Sequence, residues 1–356
     1  MTSYFIDNLF FPKLNNINNV IIIGNYNDGN LGDELMLSVI TNLINIYYNN
    51  PNIYIPIKKQ LPKNYFDNRI HSKNVYSVNY LESLKKLFDS DLIIFGGGSI
   101  FSKDASIPFY FILLIALVKK NLFKSHYFFY SIGFSKSTPK LLRLISKYTL
   151  NGADGIFVRD YFSNIRLIKD LKIDNKKITK IEDAGFYYED NNNEIVASDT
   201  TINIGISLTY IDDNKEVFIK NILKFINKIV ETDDCNIFLF PFCLGLSSKR
   251  SDLTLCIDIL NSLEDRYKKN IIVVPISNIK EMLSIFKRLN YVICMRYHCA
   301  VLAKKYGIPS IVISSEEKFD SFCFEYKCEK INYSVLSAEL LETKLEKLKK
   351  EHNDNN

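Results

Sequence analysis

Short runs of β-branched and aromatic residues alternate with amphipathic stretches along most of the chain, and the alternation starts afresh near residue 202. In the first half the runs predict strands at 19–24, 91–96, 127–133, 155–158 and, less regularly, 180–186. The stretches between them predict helices at 33–48, 80–88, 107–121, 138–150 and 160–171. The second half predicts strands at 202–208, 236–241, 270–275, 291–295 and 310–314, and helices at 214–230, 250–265, 278–289, 299–306 and 335–350. Strands that alternate with helices are typical of parallel sheets covered on both faces, so we predict an α/β fold.

The chain is long enough for two such sheets. Its 356 residues exceed the roughly 250–300 that a single core usually serves. The polar stretch 189–200 separates the two halves and predicts a linker. We therefore expect two α/β domains facing each other across a cleft, at residues 1–190 and 200–335, followed by a C-terminal helix and frayed tail at 336–356.

Composition narrows the class of protein. Hydrophobic residues make up 47% of the chain, which excludes disorder. The net charge of +5 is mild and does not by itself indicate nucleic-acid binding, which would need a clustered basic face. The seven cysteines form no CxxC pair and are odd in number, so we expect buried thiols and neither disulfides nor a metal site. The N-terminus lacks a signal-peptide pattern, and the longest apolar stretch, at 107–118, is shorter than the about 20 residues of a membrane span. We expect a cytoplasmic protein.

Glycines concentrate after two of the predicted strands. Gly24, Gly29 and Gly32 follow the first strand in a chain that has only 13 glycines, and they match neither a dinucleotide fingerprint nor a P-loop. Either their amides turn toward a ligand at a helix start, or they form a tight turn with Asp33 as the helix N-cap. Three successive glycines, 96–98, follow the second strand and would let a ligand or another backbone come close.

Cations and one histidine follow the other strands. Arg159 comes directly after the fourth strand, Arg296 and His298 follow the strand at 291–295, and Lys318 follows the next strand. The carboxyl ends of parallel strands meet at one edge of a sheet, which is where open α/β sheets bind ligands. In the second half, the two cations Arg296 and Lys318 and the imidazole of His298 predict a site for an anionic substrate that also needs a proton. In the first half, Arg159 either binds a phosphate or carboxylate or is a surface residue at a helix start.

Four motifs occur in a fixed order along the chain. They are GNxGDE (Gly29–Glu34), GGGxxF (Gly96–Phe101), VRDxxS (Val158–Ser163) and RxHxxxxAxxxGxPxIxxxxxxKxxxF (Arg296–Phe322). Together they resemble the polysaccharide pyruvyl transferase family over residues 20 to 325. The resemblance implies two Rossmann-like domains in a GT-B-like arrangement. It also implies transfer of pyruvate from phosphoenolpyruvate, with no further cofactor, to a glycan acceptor or its lipid-linked precursor, giving a pyruvate ketal and phosphate.

The resemblance implies active-site residues at Arg159, His298 and Lys318, and the chemistry of the reaction suggests roles for these residues and for others near them. His298 would be the general acid, while Arg159 and Lys318 would hold the carboxylate and phosphate of the donor in an order that stays open. Arg296 would orient the site or serve as a structural ion pair. The glycine loops, Gly29, Asn30, Gly32, Gly96, Gly97 and Gly98, would shape the cleft floor. Asp33 or Glu34 would either accept a proton from an attacking hydroxyl or cap the helix.

Two departures from the family pattern concern the acceptor side. The family often has Asp-Pro before its linker, where this chain has DAGF at 183–186. The stretch FPFCLGLSSKRSD, at 240–252, lacks a histidine that some relatives carry.

Two other functions stay open on these residues. A nucleotide-sugar glycosyltransferase would use the same glycines and cations for a diphosphate, and a non-catalytic glycan-binding relative would keep the fold alone.

Residues 105–153 contain seven Lys or Arg and no Asp or Glu. We expect the helix at 107–118 to be buried between sheet and solvent, and the cations to give weak association with the inner face of a membrane.

Overall fold

Parallel pairing organises every strand of this protein that the structure describes. The structure is a computed structural model that describes residues 14–26, 28–57, 74–189, 201–211, 215–244, 251–275 and 279–354. These residues form two units. The first comprises 14–26, 33–57 and 74–188, and the second comprises 28–32 and the described residues from 189 onward. The short segment 28–32 therefore belongs to the second unit although its neighbours in the chain belong to the first.

The first unit is built on a seven-stranded sheet of order β3-β2-β1-β4-β5-β6-β7. Its strands are β1 (Asn19–Ile23), β2 (Asn52–Pro56), β3 (Val75–Val78), β4 (Leu92–Phe101), β5 (His126–Phe134), β6 (Gly155–Val158) and β7 (Ile178–Lys180). Its helices are α1 (Leu31–Tyr48), α2 (Tyr80–Asp89), α3 (Ile107–Phe123), α4 (Lys140–Gly152) and α5 (Tyr161–Lys169), with 3-10 turns at Asn175–Lys177 and Ala184–Tyr187. Apolar side chains of α1 cover one face of the sheet, and those of α3 and α4 cover the other.

The second unit is built on a six-stranded sheet of order β10-β9-β8-β11-β12-β13. Its strands are β8 (Ile202–Ser207), β9 (Cys235–Leu239), β10 (Ile271–Val273), β11 (Tyr291–Cys294), β12 (Ser310–Ile313) and β13 (Glu329–Ile331). Its helices are α6 (Lys215–Thr232), α7 (Asp252–Ser262), α8 (Asp265–Lys268), α9 (Ile279–Phe286), α10 (Tyr297–Lys305), α11 (Glu317–Tyr326) and α12 (Ala338–Asn353), with a 3-10 turn at Tyr333–Val335. Leu341 and Leu345 of α12 are buried in the core of this unit.

Both sheets have the strand order 3-2-1-4-5-6 of the Rossmann fold, which the first sheet extends by one strand. The order reverses between β1 and β4 in one unit and between β8 and β11 in the other. Ligands of open α/β sheets bind at the carboxyl ends of the strands beside such a reversal. The two topologies therefore point to the loops after β1 and β4 and to the loop after β11.

The structure confirms the predicted α/β class and corrects several elements. Strands β2, β3 and β13 and helix α11 were not predicted. Strand β3 is at the edge of its sheet and β2 is its neighbour; both are partly exposed, so they lack the continuous apolar run of a buried strand. The strand predicted at 180–186 is β7, which ends at Lys180 and is followed by a 3-10 turn. The tail predicted to fray is helical to Asn353. The predicted linker at 189–200 lies outside the described residues, apart from residue 189.

Candidate active site

His298 lies at the carboxyl edge of the second sheet. Strand β11 ends at Cys294, two residues follow, and His298 is the second residue of α10. Its side chain is buried, with only 7% exposure, and its ring meets that of Tyr297 edge to face at 5.6 Å. The N-terminus of a helix favours negative charge. The imidazole therefore stands at a position where the helix favours negative charge.

The segment 28–32 packs against this histidine. Gly32 has no side chain, and a Cβ placed on it would lie 1.8 Å from the His298 Nδ1. The segment is held by backbone hydrogen bonds: the Leu31 amide donates to the Phe242 carbonyl over 2.9 Å, and the Leu244 amide donates to the Gly29 carbonyl over 3.0 Å. The imidazole ring can occupy its position only because residue 32 is glycine.

Asn30 and the two acids after it stand at the start of α1. The helix begins at Leu31, so Asp33 and Glu34 lie inside its first turn, and the expectation that Asp33 is the N-cap is wrong. Asn30 accepts a hydrogen bond from the Gly32 amide over 3.2 Å, as an N-cap residue does. Glu34 is buried. Burial, together with the charges of Asp33 and Glu34, raises the pKa of Tyr26 well above its ordinary value.

Arg296 is locked in an ion pair. Its Nε and Nη2 donate to the two carboxylate oxygens of Asp252 over 2.9 and 2.6 Å, and the Asp252 side chain is fully buried. Asp252 also accepts from the Cys243 amide over 2.8 Å, and Cys243 bridges to Asn30. These contacts link Arg296 to the backbone that carries Gly32 to the face of His298, which is the arrangement expected of a positioning residue.

Burial and pairing oppose each other in this ion pair. Burial raises the pKa of the Asp252 carboxyl, and the Arg296 guanidinium and the Cys243 amide limit that rise. Burial lowers the pKa of Arg296, but the Asp252 carboxylate outweighs it and leaves that pKa above its ordinary value. The two parallel hydrogen bonds from the Arg296 guanidinium to the Asp252 carboxylate therefore stabilise the charged form of the pair.

Replacing Asp252 with asparagine should destabilise the second unit and slow turnover. The substitution leaves the largely buried guanidinium without its counter-charge, and breaking such a pair costs about 3 kcal/mol. Urea unfolding followed by circular dichroism measures the loss. Asp265→Asn is the matched control, because Asp265 pairs with Lys268 while 96% exposed and should contribute little. Equal stability of the two variants would contradict the positioning role.

Lys318 lies at the start of the helix that follows the neighbouring strand β12. Its Nζ is 2.7 Å from Glu316, and both side chains are partly exposed. Tyr297 contacts His298 on one side and Phe319 on the other, at ring separations of 5.6 Å in both cases. The structure therefore brings His298 and Lys318 to the same edge of the same sheet.

Arg159 stands at the corresponding edge of the first sheet. Its side chain is 2% exposed; Nη1 donates to Asp183 over 3.0 Å, and Nη2 donates to Ser99 over 3.0 Å. A Cβ on Gly133 would come within 3.4 Å of its Nε, so that glycine leaves room for the guanidinium. Arg159 is thus a buried, oriented cation whose charge Asp183 partly offsets.

The rest of the VRDxxS motif builds the start of α5. Asp160 accepts from the Ser163 amide over 2.8 Å and from its hydroxyl over 2.7 Å. Ser163 in turn accepts from the Phe134 amide over 2.7 Å. These bonds tie the helix start to the end of β5 and hold the backbone that carries Arg159.

The three successive glycines lie inside β4, and the prediction that they follow the strand is wrong. Gly97 and Gly98 have φ of +72° and +86°, and the register to β5 shifts directly after them, between Gly98 and Phe101. A Cβ on Gly96 would meet Ile40 and the Tyr26 hydroxyl at 2.7 Å. Gly96 therefore admits close packing of α1 on the sheet, while Gly98 lies beside Asp33, whose Oδ1 is 3.5 Å from a Cβ built there.

Several residues of these clusters were not predicted as functional. Asp252 and Cys243 occur in the stretch that was noted only for its missing histidine, and Ser99, Gly133 and Asp183 complete the surroundings of Arg159. The sequence does not show that an aspartate is buried against an arginine, because an aspartate at a helix start has the same local sequence pattern whether it is buried or exposed. In the part of the chain that the structure describes, no group of three His, Cys, Asp or Glu could hold a metal ion.

The fold, with its two Rossmann-like units, is similar to that of GT-B-like epimerases and glycosyltransferases. Similar solved structures are the UDP-GlcNAc 2-epimerase of Methanocaldococcus jannaschii (TM-score 0.61, 16% identity, covering 92% of this chain and 91% of that chain) and a glycosyltransferase of Rickettsia africae (0.56, 9%, 94% and 88%). The ADP-heptose heptosyltransferase II of E. coli is similar as well (0.50, 11%, 94% and 99%). At these identities the likeness concerns the fold alone.

The sequence model of the family described as "Polysaccharide pyruvyl transferase" matches residues 30–317, and the protein belongs to that family of enzymes. The match includes Asn30, Arg159, Arg296 and His298, and it ends one residue before Lys318. No curated protein sequence matches the chain significantly.

Proposed function

We propose that the protein transfers the pyruvyl group of phosphoenolpyruvate to two hydroxyls of one sugar, forming a pyruvate ketal and releasing phosphate. Membership of the family supports pyruvyl transfer to a polysaccharide. The observation that most supports a proton-transfer role is the position of His298, which lies at a helix start beside the strand-order reversal and is packed on Gly32.

The proposed reaction needs one proton at carbon and one leaving group. His298 gives a proton to the methylene carbon, which creates positive character at the central carbon, where the first sugar hydroxyl attacks and gives up its proton. The second hydroxyl then attacks the same carbon, and the carbon–oxygen bond to phosphate breaks. One hydroxyl proton restores the imidazolium and the other leaves with phosphate. Histidine suits this exchange because it gains and loses a proton near neutrality.

Lys318 is our proposed ligand for an anionic group of the donor. An ion pair as exposed as Lys318–Glu316 contributes at most about 1 kcal/mol, so a phosphate or carboxylate can displace Glu316 at little cost. We also propose that Arg159 binds an anionic group of the donor. Its hydrogen bonds to Asp183 and Ser99 fix the orientation of the guanidinium, and recognition of a carboxylate or phosphate by two parallel hydrogen bonds requires such an orientation.

Replacing Lys318 with alanine should raise the KM for phosphoenolpyruvate about tenfold or more, because a charge-assisted contact contributes roughly 1.5–3 kcal/mol. The KM for acceptor should change little. Lys344→Ala is the matched control, since Lys344 has the same 2.7 Å ion-pair distance, to Glu329, and nearly the same exposure. Equal loss of donor and acceptor affinity would assign Lys318 a structural role instead.

A nucleotide-sugar enzyme is the second candidate, because solved structures of similar fold are described as enzymes of that kind. Similar solved structures are described as a UDP-GlcNAc 2-epimerase and an ADP-heptose heptosyltransferase. Incubation with phosphoenolpyruvate, UDP-GlcNAc or ADP-heptose in parallel separates the candidates. Our proposal expects phosphate release from phosphoenolpyruvate alone, in the presence of an extract of cell-surface glycan. Release of UDP or ADP instead would favour the second candidate.

A further inference from the structure

Helix α3 presents a continuous apolar face to solvent. Ile107, Phe111, Val118 and Leu122 recur at spacings of about one and two helical turns, and each is more than half exposed. The opposite face is packed into the core under the helix, through Tyr110, Leu113 and Ala116. The prediction that the apolar stretch at 107–118 is buried is therefore wrong for its solvent-facing side.

Helix α4 continues this exposed apolar face. Leu141, Leu144 and Tyr148, at helical spacing, are each more than half exposed. The two helices pack side by side on the same face of the first sheet, and a Cβ on Gly152 would lie 2.3 Å from Leu117. Together the exposed side chains of 107–123 and 140–152 form what we call the α3–α4 surface. Exposed apolar patches of this kind mark interaction sites.

The charged residues within the segment that contains α3 and α4 have one sign. No acidic residue occurs between 105 and 153. Not every cation there faces solvent: Lys119 is buried on the Ser90 carbonyl, Lys120 pairs with Asp154 over 2.6 Å, and Arg143 bonds to the Thr138 carbonyl over 2.9 Å. Lys124 and Lys140 are exposed and Lys147 is half-buried. On α4, Lys140 and Lys147 flank Leu144 at helical spacing.

We propose that the α3–α4 surface binds the surface of an anionic lipid bilayer. Apolar side chains enter the boundary between headgroups and acyl chains, while the lysines at their rim meet the negative headgroups, as in helices that lie in the plane of a membrane. A protein partner could also cover the apolar face. We favour lipid because the 49 residues from 105 to 153 carry basic side chains and no acidic ones, which matches a uniformly negative surface. Binding to lipid does not depend on which reaction the protein catalyses. In the described residues, no helix is long and apolar enough to cross a membrane.

Sedimentation of the full chain with vesicles tests this proposal. We expect binding to vesicles of phosphatidylglycerol and phosphatidylcholine in equal parts, and at least about tenfold weaker binding to phosphatidylcholine alone. Raising the salt from low to molar concentration should weaken binding through screening. The double variant Phe111→Ser with Leu122→Ser should lose at least about tenfold in affinity, because two apolar side chains no longer leave water. Lys140→Glu with Lys147→Glu should lose a similar factor.

A matched pair of substitutions controls for lost apolar surface elsewhere. Val217 and Ile257, on α6 and α7 of the second unit, are also exposed, and their replacement by serine should leave vesicle binding unchanged. Circular dichroism checks that each variant is folded, and light scattering measures its oligomeric state. No binding of the unaltered protein to the anionic vesicles would overturn the proposal. The proposal would also be overturned if the unaltered protein were a dimer and only the double variant Phe111→Ser with Leu122→Ser were a monomer. The α3–α4 surface would then join two copies of the chain.

Discussion

Replacing His298 with glutamine should lower kcat by about 10²–10⁴-fold, which is the range that general acid–base catalysis contributes. Glutamine approximates the volume of imidazole and keeps hydrogen-bonding groups, so the packing on Gly32 and Tyr297 should survive. The KM for phosphoenolpyruvate should change much less than kcat, because the lost interaction belongs to the transition state. Steady-state phosphate release measures both constants.

The control for this substitution is His126→Gln. His126 begins β5 in the first unit, is half-exposed and lies 3.6 Å from Asp154, so its loss should leave kcat unchanged. If His298→Gln kept more than about a tenth of the activity, the histidine would not be the general acid.

The substitution Gly32→Ala should lower kcat about 10²-fold although it adds one methyl group. That methyl would lie 1.8 Å from the His298 Nδ1, so the ring must shift, and a displacement near 1 Å can cost this much. Ring displacement should also change the chemical shifts of the His298 imidazole in nitrogen NMR. A purely destabilising effect would leave those shifts unchanged in the folded fraction.

The matched control is Gly307→Ala. Gly307 has φ of +69°, yet a Cβ there meets nothing within 4 Å, so alanine introduces backbone strain without a collision. It should cost about 1–2 kcal/mol of stability and leave kcat intact. If Gly32→Ala and Gly307→Ala lowered kcat alike, the contact between Gly32 and His298 would not be the cause.

Periodicity predicted both parallel sheets because their central strands are buried on both faces and read as continuous apolar runs. The edge strand β3 and its neighbour β2 were not predicted, because partial exposure breaks that apolar run. The run of glycines predicts a loop, but β4 continues through it, and the register to β5 shifts only between Gly98 and Phe101. Sequence has no local signal that separates a bulge from a strand end.

The sequence also predicted that His298 and Lys318 would meet at one sheet edge, since that follows from parallel topology alone. It could not predict what each cation touches. Arg296 is bound to Asp252 and Arg159 to Asp183, and both pairings depend on the fold. The role of Gly32 was equally hidden, because its partner His298 is distant in the chain and the collision exists only in three dimensions.

Mass spectrometry of the cell-surface glycan from the native host, with and without the gene, tests the central claim most directly. Our account predicts that the glycan of the intact strain carries a sugar heavier by one pyruvate less one water. That increment should vanish on deletion and return with the unaltered gene but not with His298→Gln. An identical glycan mass with and without the gene would contradict pyruvyl transfer, and loss of a whole sugar on deletion would indicate a glycosyltransferase instead.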